Sequence, residues 1–587
     1  MTDRATETNQ AGETNRAGVA DRAGVTSRAG VADRAGVTGR AGVAGRAGVA
    51  GRAAASRWRP GPAQGRRLLL AAVSGLVGTF AFPPFGIWPL AMVSIAGLCL
   101  ATRGQRCRNA GWLGLVYGAG LFGPMLHWTS TYVGALPWLI LVFAETWYTA
   151  ALAAVLPLAQ RLRWWPVAVA ALWVAEEAVR DRLPFGGFPW GRWAFSQAES
   201  PLKWFAPLGG APLVTFAVAL AGSLLAGLVL QPRLIERVAA GVAACLVVLL
   251  GLGLSLPLRP HTSAERTLTV AAIQGNVPDR GLDFDARRRQ VLDNHVAQTL
   301  RLAAAVHAGT VPRPDLVLWP ENASDIDPTD NPDAASVIQQ ATDAVGVPIL
   351  VGAILDGPGP QHVTNAGLVW QPSTAAHPGP GQRYVKRHPV PFGEYIPLRS
   401  LARKLSSKVD LVRYDMLAGQ GNGLLTQTPV PLGDVICFEV AYDNLVNSSV
   451  RAGAQLLVIQ TNNATFGHSS ETYQQLAMAR LRAVEHARTV VQVATSGKSA
   501  IIDPSGRTLA ESGPLFTADT LLTRVPLARQ TTLATRTGAG AEWLLVAIGV
   551  LAALIGGFGL PRRSSRSDVP AEDGEPAEQP AELTGLS

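Results

Sequence analysis

Three short segments carry side chains that could run acyl chemistry if folding brought them together. Cys437 follows the apolar run GDVI, Glu321 follows DLVLW and Pro320, and a third segment, YVKRHPVPFGEY at 384–395, contains Lys386. A cysteine thiol has an ordinary pKa near ~8.5 and needs a neighbouring base to become a nucleophilic thiolate. A glutamate can be that base, and a fixed ammonium can hold the negative charge that develops on an attacked carbonyl oxygen. Lysine is scarce in this chain: positions 203, 386, 404, 408 and 498 are the only five among 51 basic residues. Arginine stays protonated and serves poorly in proton transfer, so a lysine inside a dense motif stands out.

The four cysteines (99, 107, 245 and 437) form no CxxC pair, and the nine histidines show no HExxH or other ligand spacing. That argues against a zinc site and against a disulfide scaffold. Cys437 differs from the rest. Cys99 and Cys245 fall in apolar segments and Cys107 in a short turn, where a cysteine is a small hydrophobe. Cys437 lies in the domain between the apolar segments, where acidic residues and a rare lysine occur in segments that could converge on it.

The elements that must position these residues divide the 587-residue chain into unlike parts. Only 16% of it is charged and 48% is hydrophobic, well below the ~25% charged share of ordinary soluble domains. The net charge of +9 does not imply a nucleic-acid partner. Residues 1–67 hold twelve arginines against five acids, most of the surplus, so the basicity belongs to a tail. Within it Arg recurs at 16, 22, 28, 34, 40, 46 and 52, a six-residue repeat with one valine as its sizeable apolar residue. So little burial does not offset the entropy of ordering the chain, and 1–67 reads as an unstructured arm.

From 68 to 258 the chain reads as seven apolar segments: 68–82, 87–101, 111–133, 137–159, 165–179, 207–230 and 238–258. An eighth follows at 543–560, before an acidic, Pro-rich tail at 561–587. About ~20 such residues cross a bilayer. Arg103, Arg106, Arg108, Arg161, Arg163, Arg233, Arg237, Arg562, Arg563 and Arg566 all fall in alternate turns. The positive-inside rule then predicts both termini in the cytoplasm and residues 259–541 outside it. Between 266 and 527, apolar runs at 267–273, 315–319, 348–354, 364–370, 433–438, 455–460 and 489–494 alternate with helical stretches at 286–307, 334–345, 440–451 and 471–488. This predicts a layered α/β domain, whose active groups gather at the carboxyl ends of strands. The aromatic loop at 185–205 and the mixed apolar and basic insertion 396–417 suit a membrane interface.

The motifs WPEN (319–322), YVKRHPVPFGEYIP (384–397) and ICFEVAYD (436–443) resemble the nitrilase superfamily, and specifically apolipoprotein N-acyltransferases. GNVPD (275–279), TNNATFG (461–467), MARLRAVEHAR (478–488), ATSGKSAIID (494–503) and the loop FGGFPWGRWAFSQ (185–197) resemble that family in the same order, so the likeness spans about 68–560. It implies about eight transmembrane helices plus an extracytoplasmic nitrilase-like αββα sandwich in a bacterial cytoplasmic membrane. It also implies a triad of Glu321 (general base and acid), Lys386 (oxyanion stabilisation) and Cys437 (nucleophile). Glu394, Glu439 and the Phe438 backbone N–H would support them. The implied donor is a membrane phospholipid, and the implied acceptor is the α-amino group of an S-diacylglyceryl-cysteine apolipoprotein, with no metal and no organic cofactor. The chain departs from the pattern at Thr465, where relatives carry an aromatic. Residue chemistry alone leaves two alternatives open: a membrane-anchored amidase that passes its acyl group to water, and a non-catalytic scaffold for a membrane glycosyltransferase.

Overall fold

The computed structural model describes residues 62–131, 133–260, 266–277 and 288–558. The hexapeptide repeat and the acidic tail lie outside the described residues.

Seven helices come first: α1 (Pro62–Thr79), α2 (Pro89–Thr102), α3 (Cys107–Met125), α4 (Ala135–Ala159), α5 (Trp165–Arg180), α6 (Ala206–Leu230) and α7 (Leu234–Leu258). Residues 62–67, assigned to the arm on composition, instead open α1. Proline suits a helix start, and Arg67 donates to the carbonyls of Ala101 and Arg103, which ties this turn to the end of α2. Each expected apolar segment is a helix. Among the described residues, four helical spans are long and apolar enough to cross a membrane: 135–159, 201–230, 234–258 and 540–558. Their outer faces carry exposed Phe143, Trp147, Leu246, Leu249, Leu250 and Leu554, an apolar exterior of the kind that contacts lipid or a partner.

Two of the arginine-bearing turns meet at one end of this bundle. Arg103 donates to the Gln160 carbonyl, and Arg161 to that of Gly556 in the last helix. The two glutamates that interrupt the fifth apolar segment are buried and paired. Glu176 joins Glu145 on Arg180, while Glu177 meets Arg192 and accepts from Thr215. Buried charge persists only with such partners.

The rest of the chain runs β1 (Thr267–Gln274), α8 (Arg288–His307), β2 (Leu316–Leu318), α9 (Pro332–Val345), β3 (Ile349–Asp356), β4 (His362–Gln371), β5 (Gly379–Val385) and α10 (Arg399–Leu405). It continues through β6 (Asp415–Met416), β7 (Leu424–Leu425), β8 (Leu432–Ile436), α11 (Asp443–Arg451), β9 (Leu456–Thr461), α12 (Glu471–His486), β10 (Thr489–Ala494), β11 (Ala500–Ile502), β12 (Thr508–Glu511), β13 (Asp519–Pro526), α13 (Leu533–Thr537) and α14 (Gly540–Phe558). One sheet has the order β13-β1-β2-β3-β4-β5, with β6 beside β4; the other is β12-β11-β10-β9-β8-β7. Each has a parallel centre of three strands, β1-β2-β3 and β8-β9-β10.

Side-chain alternation along the strands sorts the layers. Val270, Ala272, Leu316 and Leu318 from the first sheet share a core with Ile436, Leu456, Val458, Val491 and Val493 from the second. Ala271, Ile273 and Val317 face the other way, onto Leu292 and Val296 of α8 and Ile338 of α9. Val435, Ile459 and Val490 face Val446 of α11 and Leu476 and Ala479 of α12, in a core continuous with the helical bundle. The order is therefore helices, sheet, sheet, helices, with the bundle packed on the second helical layer. α12 lies between sheet and bundle, which explains why 14 of its residues are buried, charged ones included.

Candidate active site

Three strand ends build the site. Glu321 comes three residues after β2, Lys386 directly after β5, and Cys437 directly after β8, so two elements come from one sheet and the third from its partner. β5 escaped sequence reading because GPGQRYV offers little apolar periodicity; it is held by pairing with β4.

Lys386 is 1% exposed and Glu321 4%. The Lys386 ammonium donates to Glu321 Oε1 at 3.0 Å and to Glu394 Oε1 at 2.6 Å. Glu321 also accepts from Asn365 Nδ2 at 2.7 Å and, through Oε2, from the Asn462 backbone N–H at 2.9 Å. Glu394 accepts the Val390 N–H at 2.8 Å, which closes its own loop. Burial by itself would make Lys386 easier to deprotonate. The carboxylates of Glu321 and Glu394 outweigh it and hold the ammonium well above its ordinary pKa. Burial and the nearby Glu321 charge raise Glu394, with Lys386 opposing them.

Cys437 is half-buried and adopts a left-handed backbone, φ +53°, at the first residue of a 3₁₀ turn, Cys437–Ala441. A non-glycine residue holds such a conformation only where its surroundings impose it. Glu439 supplies much of that constraint, since it accepts from the backbone N–H groups of Ile436, Arg387 and His388 and from the Tyr384 hydroxyl. Glu439 thus joins the lysine loop to the cysteine turn and makes no hydrogen bond to Lys386, whereas Glu394 does. The thiol is touched by Thr461 Oγ1 at 3.4 Å and Gln475 Nε2 at 3.6 Å. Thr461 and Asn462 are consecutive, and one touches Cys437 while the other touches Glu321. That pins base and thiol side by side. Burial, then the Glu321 charge, push the thiol pKa up, and Lys386 pulls it down. Deprotonating this thiol would therefore take a base beside it.

Phe438 packs the site against the helical bundle, a contact that its place in the motif does not predict. Its ring stacks on Phe188 and Trp190 with centroids 5.7 and 5.9 Å away, and packs against His388 and Tyr442. The loop at 185–205, expected as an interfacial aromatic belt, mostly turns inward: Trp190, Trp193, Phe195, Trp204 and Phe205 are buried, and only Phe185 is exposed. Trp190 Nε1 donates to Gln474 Oε1 at 2.6 Å, and Tyr442 donates to the Gly187 carbonyl at 3.0 Å. Indole and phenol groups bury readily when their polar atoms find such partners, so these rings cement catalytic sandwich to bundle.

Gly352 on β3 lies under the Glu321 segment. A Cβ there would sit 2.8 Å from Glu321 Cα and closer still to the Pro320 carbonyl oxygen. Gly352→Ala is expected to destabilise by about 1–3 kcal/mol, because the Glu321 segment must shift to make room. Thermal unfolding of the purified variant checks it.

Residues 74–224 match the apolipoprotein N-acyltransferase N-terminal domain, and residues 269–535 match the carbon-nitrogen hydrolase family. The apolipoprotein N-acyltransferase of Mycolicibacterium smegmatis is 40% identical over 509 residues, 83% of this chain and 84% of that one. The chain belongs to the apolipoprotein N-acyltransferase family. The Pseudomonas putida member is 34% identical over 75% of this chain and 87% of its own. Among solved structures, an amidase from Nesterenkonia sp. is 17% identical with a TM-score of 0.31, covering 46% of this chain and 93% of the amidase. The two matched regions meet at the aromatic junction described above and at the Arg192–Asp443 ion pair, so the family's two modules form one packed unit here. Residues that sequence reasoning did not single out are Asn365, Asn462, Thr461 and Gln475. Thr461 and Asn462 lie in the TNNATFG motif, but no sequence signal ties Asn365 or Gln475 to the triad.

Proposed function

We propose that this enzyme transfers a fatty acyl chain from a membrane phospholipid to the α-amino group of the S-diacylglyceryl cysteine of apolipoproteins, through a thioester on Cys437. The observation that carries the reading is the convergence of one carboxylate, one buried ammonium and one thiol at neighbouring strand ends. Glu321 takes the Cys437 proton as sulfur attacks the donor ester carbonyl. Lys386 and the Phe438 N–H stabilise the oxyanion, a contribution that in other enzymes reaches ~10²–10³-fold per donor. Protonated Glu321 then gives its proton to the departing glycerol oxygen, and lysophospholipid leaves. In the second half the lipoprotein amine attacks the thioester carbonyl, Glu321 takes the amine proton, and the Cys437 thiolate departs and is reprotonated. Glu394 keeps Lys386 charged and in place, and Glu439 holds the loops. No metal or organic cofactor enters the scheme.

A lipid donor needs a site at a bilayer surface. α1–α7 and α14 would span the membrane as eight helices, with the catalytic sandwich of 266–527 on the extracytoplasmic side and both termini in the cytoplasm. The gathering of two arginine-bearing turns at one bundle end supports that orientation. So do the exposed Phe392 of the lysine motif and Leu398, Leu401, Leu411 and Tyr414 on the insertion that follows it, interleaved with Arg403, Lys404 and Lys408.

Intact-mass spectrometry of detergent-purified enzyme given a defined phospholipid tests the scheme. Wild type is expected to gain one acyl mass that neutral hydroxylamine removes, Cys437→Ala none, and a diacylglyceryl peptide amine is expected to discharge it. Absence of any adduct on folded protein with several donors would overturn the thioester. Discharge at the same rate without the amine would make the enzyme a hydrolase.

A further inference from the structure

Beside the triad, the thiol has its own polar cradle on the side formed by β9 and α12. Thr461 Oγ1 lies 3.4 Å from Cys437 Sγ and 2.9 Å from Gln475 Oε1. Gln475 Oε1 also accepts Asn463 Nδ2 at 3.0 Å, and Asn463 Nδ2 reaches Glu471 Oε2 at 2.7 Å. Thr461, Gln475, Asn463 and Glu471 are all buried. With two donors on its oxygen, the Gln475 amide can turn only one way. Its N–H then faces sulfur, at 3.6 Å.

We propose that Thr461 and Gln475 are further catalytic residues, a pair of neutral donors that stabilises the Cys437 thiolate, with Asn463 and Glu471 as positioning residues that fix the amide. This rests on Cys437 being the nucleophile. The threonine hydroxyl has one proton and two acceptors in reach. While Cys437 is a thiol, that proton goes to Gln475 Oε1, the nearer partner. When Glu321 has taken the thiol proton, the hydroxyl rotates to donate to sulfur beside the amide N–H, so the new charge has two hydrogen bonds without a second buried cation. Hydrogen bonds to charged groups are stronger than neutral ones, so the pair acts mainly on the thiolate and on the transition state that forms from it. Burial pushes Glu471 up to about 8, and where it does ionise its charge opposes the thiolate.

The test is the pH dependence of Cys437 alkylation by iodoacetamide in detergent, with the modified Cys437 peptide quantified by mass spectrometry so that the exposed Cys107 and Cys245 do not interfere. Thr461→Val and Gln475→Met are each expected to move the profile upward by about one pH unit, equivalent to a ~tenfold slower reaction at fixed pH. Thr461→Ser, which keeps the hydroxyl, is expected to restore the wild-type profile. Should Thr461→Val fail to fold, the Gln475→Met profile decides alone. Profiles that coincide with wild type in the folded variants overturn the proposal. A shifted profile in an enzyme that forms no acyl adduct would support the donor pair and sink the transferase scheme, so the two readings fail separately.

Discussion

Lys386→Met is expected to cut acyl-enzyme formation by at least about 10³-fold and to destabilise the protein by about 3–5 kcal/mol. Lysine and methionine have similar length, so the loss isolates the charge. In the wild type the ammonium sits between Glu321 and Glu394, 3.0 and 2.6 Å away, with all three groups shielded from water. Without it, the Glu394 carboxyl, already raised by burial and the nearby Glu321 charge, loses the cation that opposes them. The proposed oxyanion also loses its cation, and Glu321 loses the ammonium that holds its Oε1 in place. The sign of the pH effect follows. A carboxyl whose pKa is higher in the folded than in the unfolded state binds more protons when folded, so the variant gains stability as pH falls and loses it as pH rises. Thermal unfolding of Lys386→Met in detergent between about pH 5 and 8 should therefore show its midpoint falling with pH relative to wild type. A flat difference across that range would mean that the carboxylates find other partners.

Arg482→Met is expected to cost about 3–5 kcal/mol as well, for a different reason. Arg482 is fully buried on α12. Its guanidinium donates to the carbonyls of Val440 and Ala441 at 2.9 Å each, and pairs with Glu485 at 2.5 Å and Asp443 at 2.7 Å. Asp443 is shared with Arg192 at 2.9 Å, so one acid links catalytic helix and bundle loop. Burial alone would raise Asp443, but Arg192 and Arg482 bring it down to about 2. Removing Arg482 leaves the acids under-compensated and two carbonyls of the Cys437 turn without their donor, at about 1–3 kcal/mol for each unsatisfied group. These costs overlap and do not sum. The measurable result is a lower unfolding midpoint together with a reduced acyl-adduct yield well below that midpoint, because the turn that starts at Cys437 is held from this side chain. Arg482→Lys should recover only part of both, since one ammonium cannot span four acceptors in a fixed fork.

Much of this was legible in the chain. The apolar segments became helices because long runs of Leu, Ala and Val admit few other solutions, and each central strand of both sheets coincides with an apolar run noted beforehand. β5, β12 and β13 have no counterpart in the apolar runs because they are half-exposed and mix polar residues into the pattern, while β6, β7 and the buried β11 are only two or three residues long; their pairing partners decide them. Glu321, Lys386 and Cys437 were legible as rare residue types in dense motifs, and the family likeness ordered them. Their geometry was not. The thiol's neighbours, Thr461 and Gln475, are 24 and 38 positions away along the chain, and Asn365 reaches Glu321 from 44 positions away. The aromatic loop was misjudged for the same reason: composition records that Trp190 and Phe195 are apolar, and tertiary packing decides whether the apolar partner is lipid or protein. By itself the sequence determined the repertoire of elements and the chemical groups on offer, since both follow from local periodicity and residue type. Only the tertiary structure decided which groups share a hydrogen bond, because those contacts join segments brought together by burial of the sheets and of α12 between sandwich and bundle.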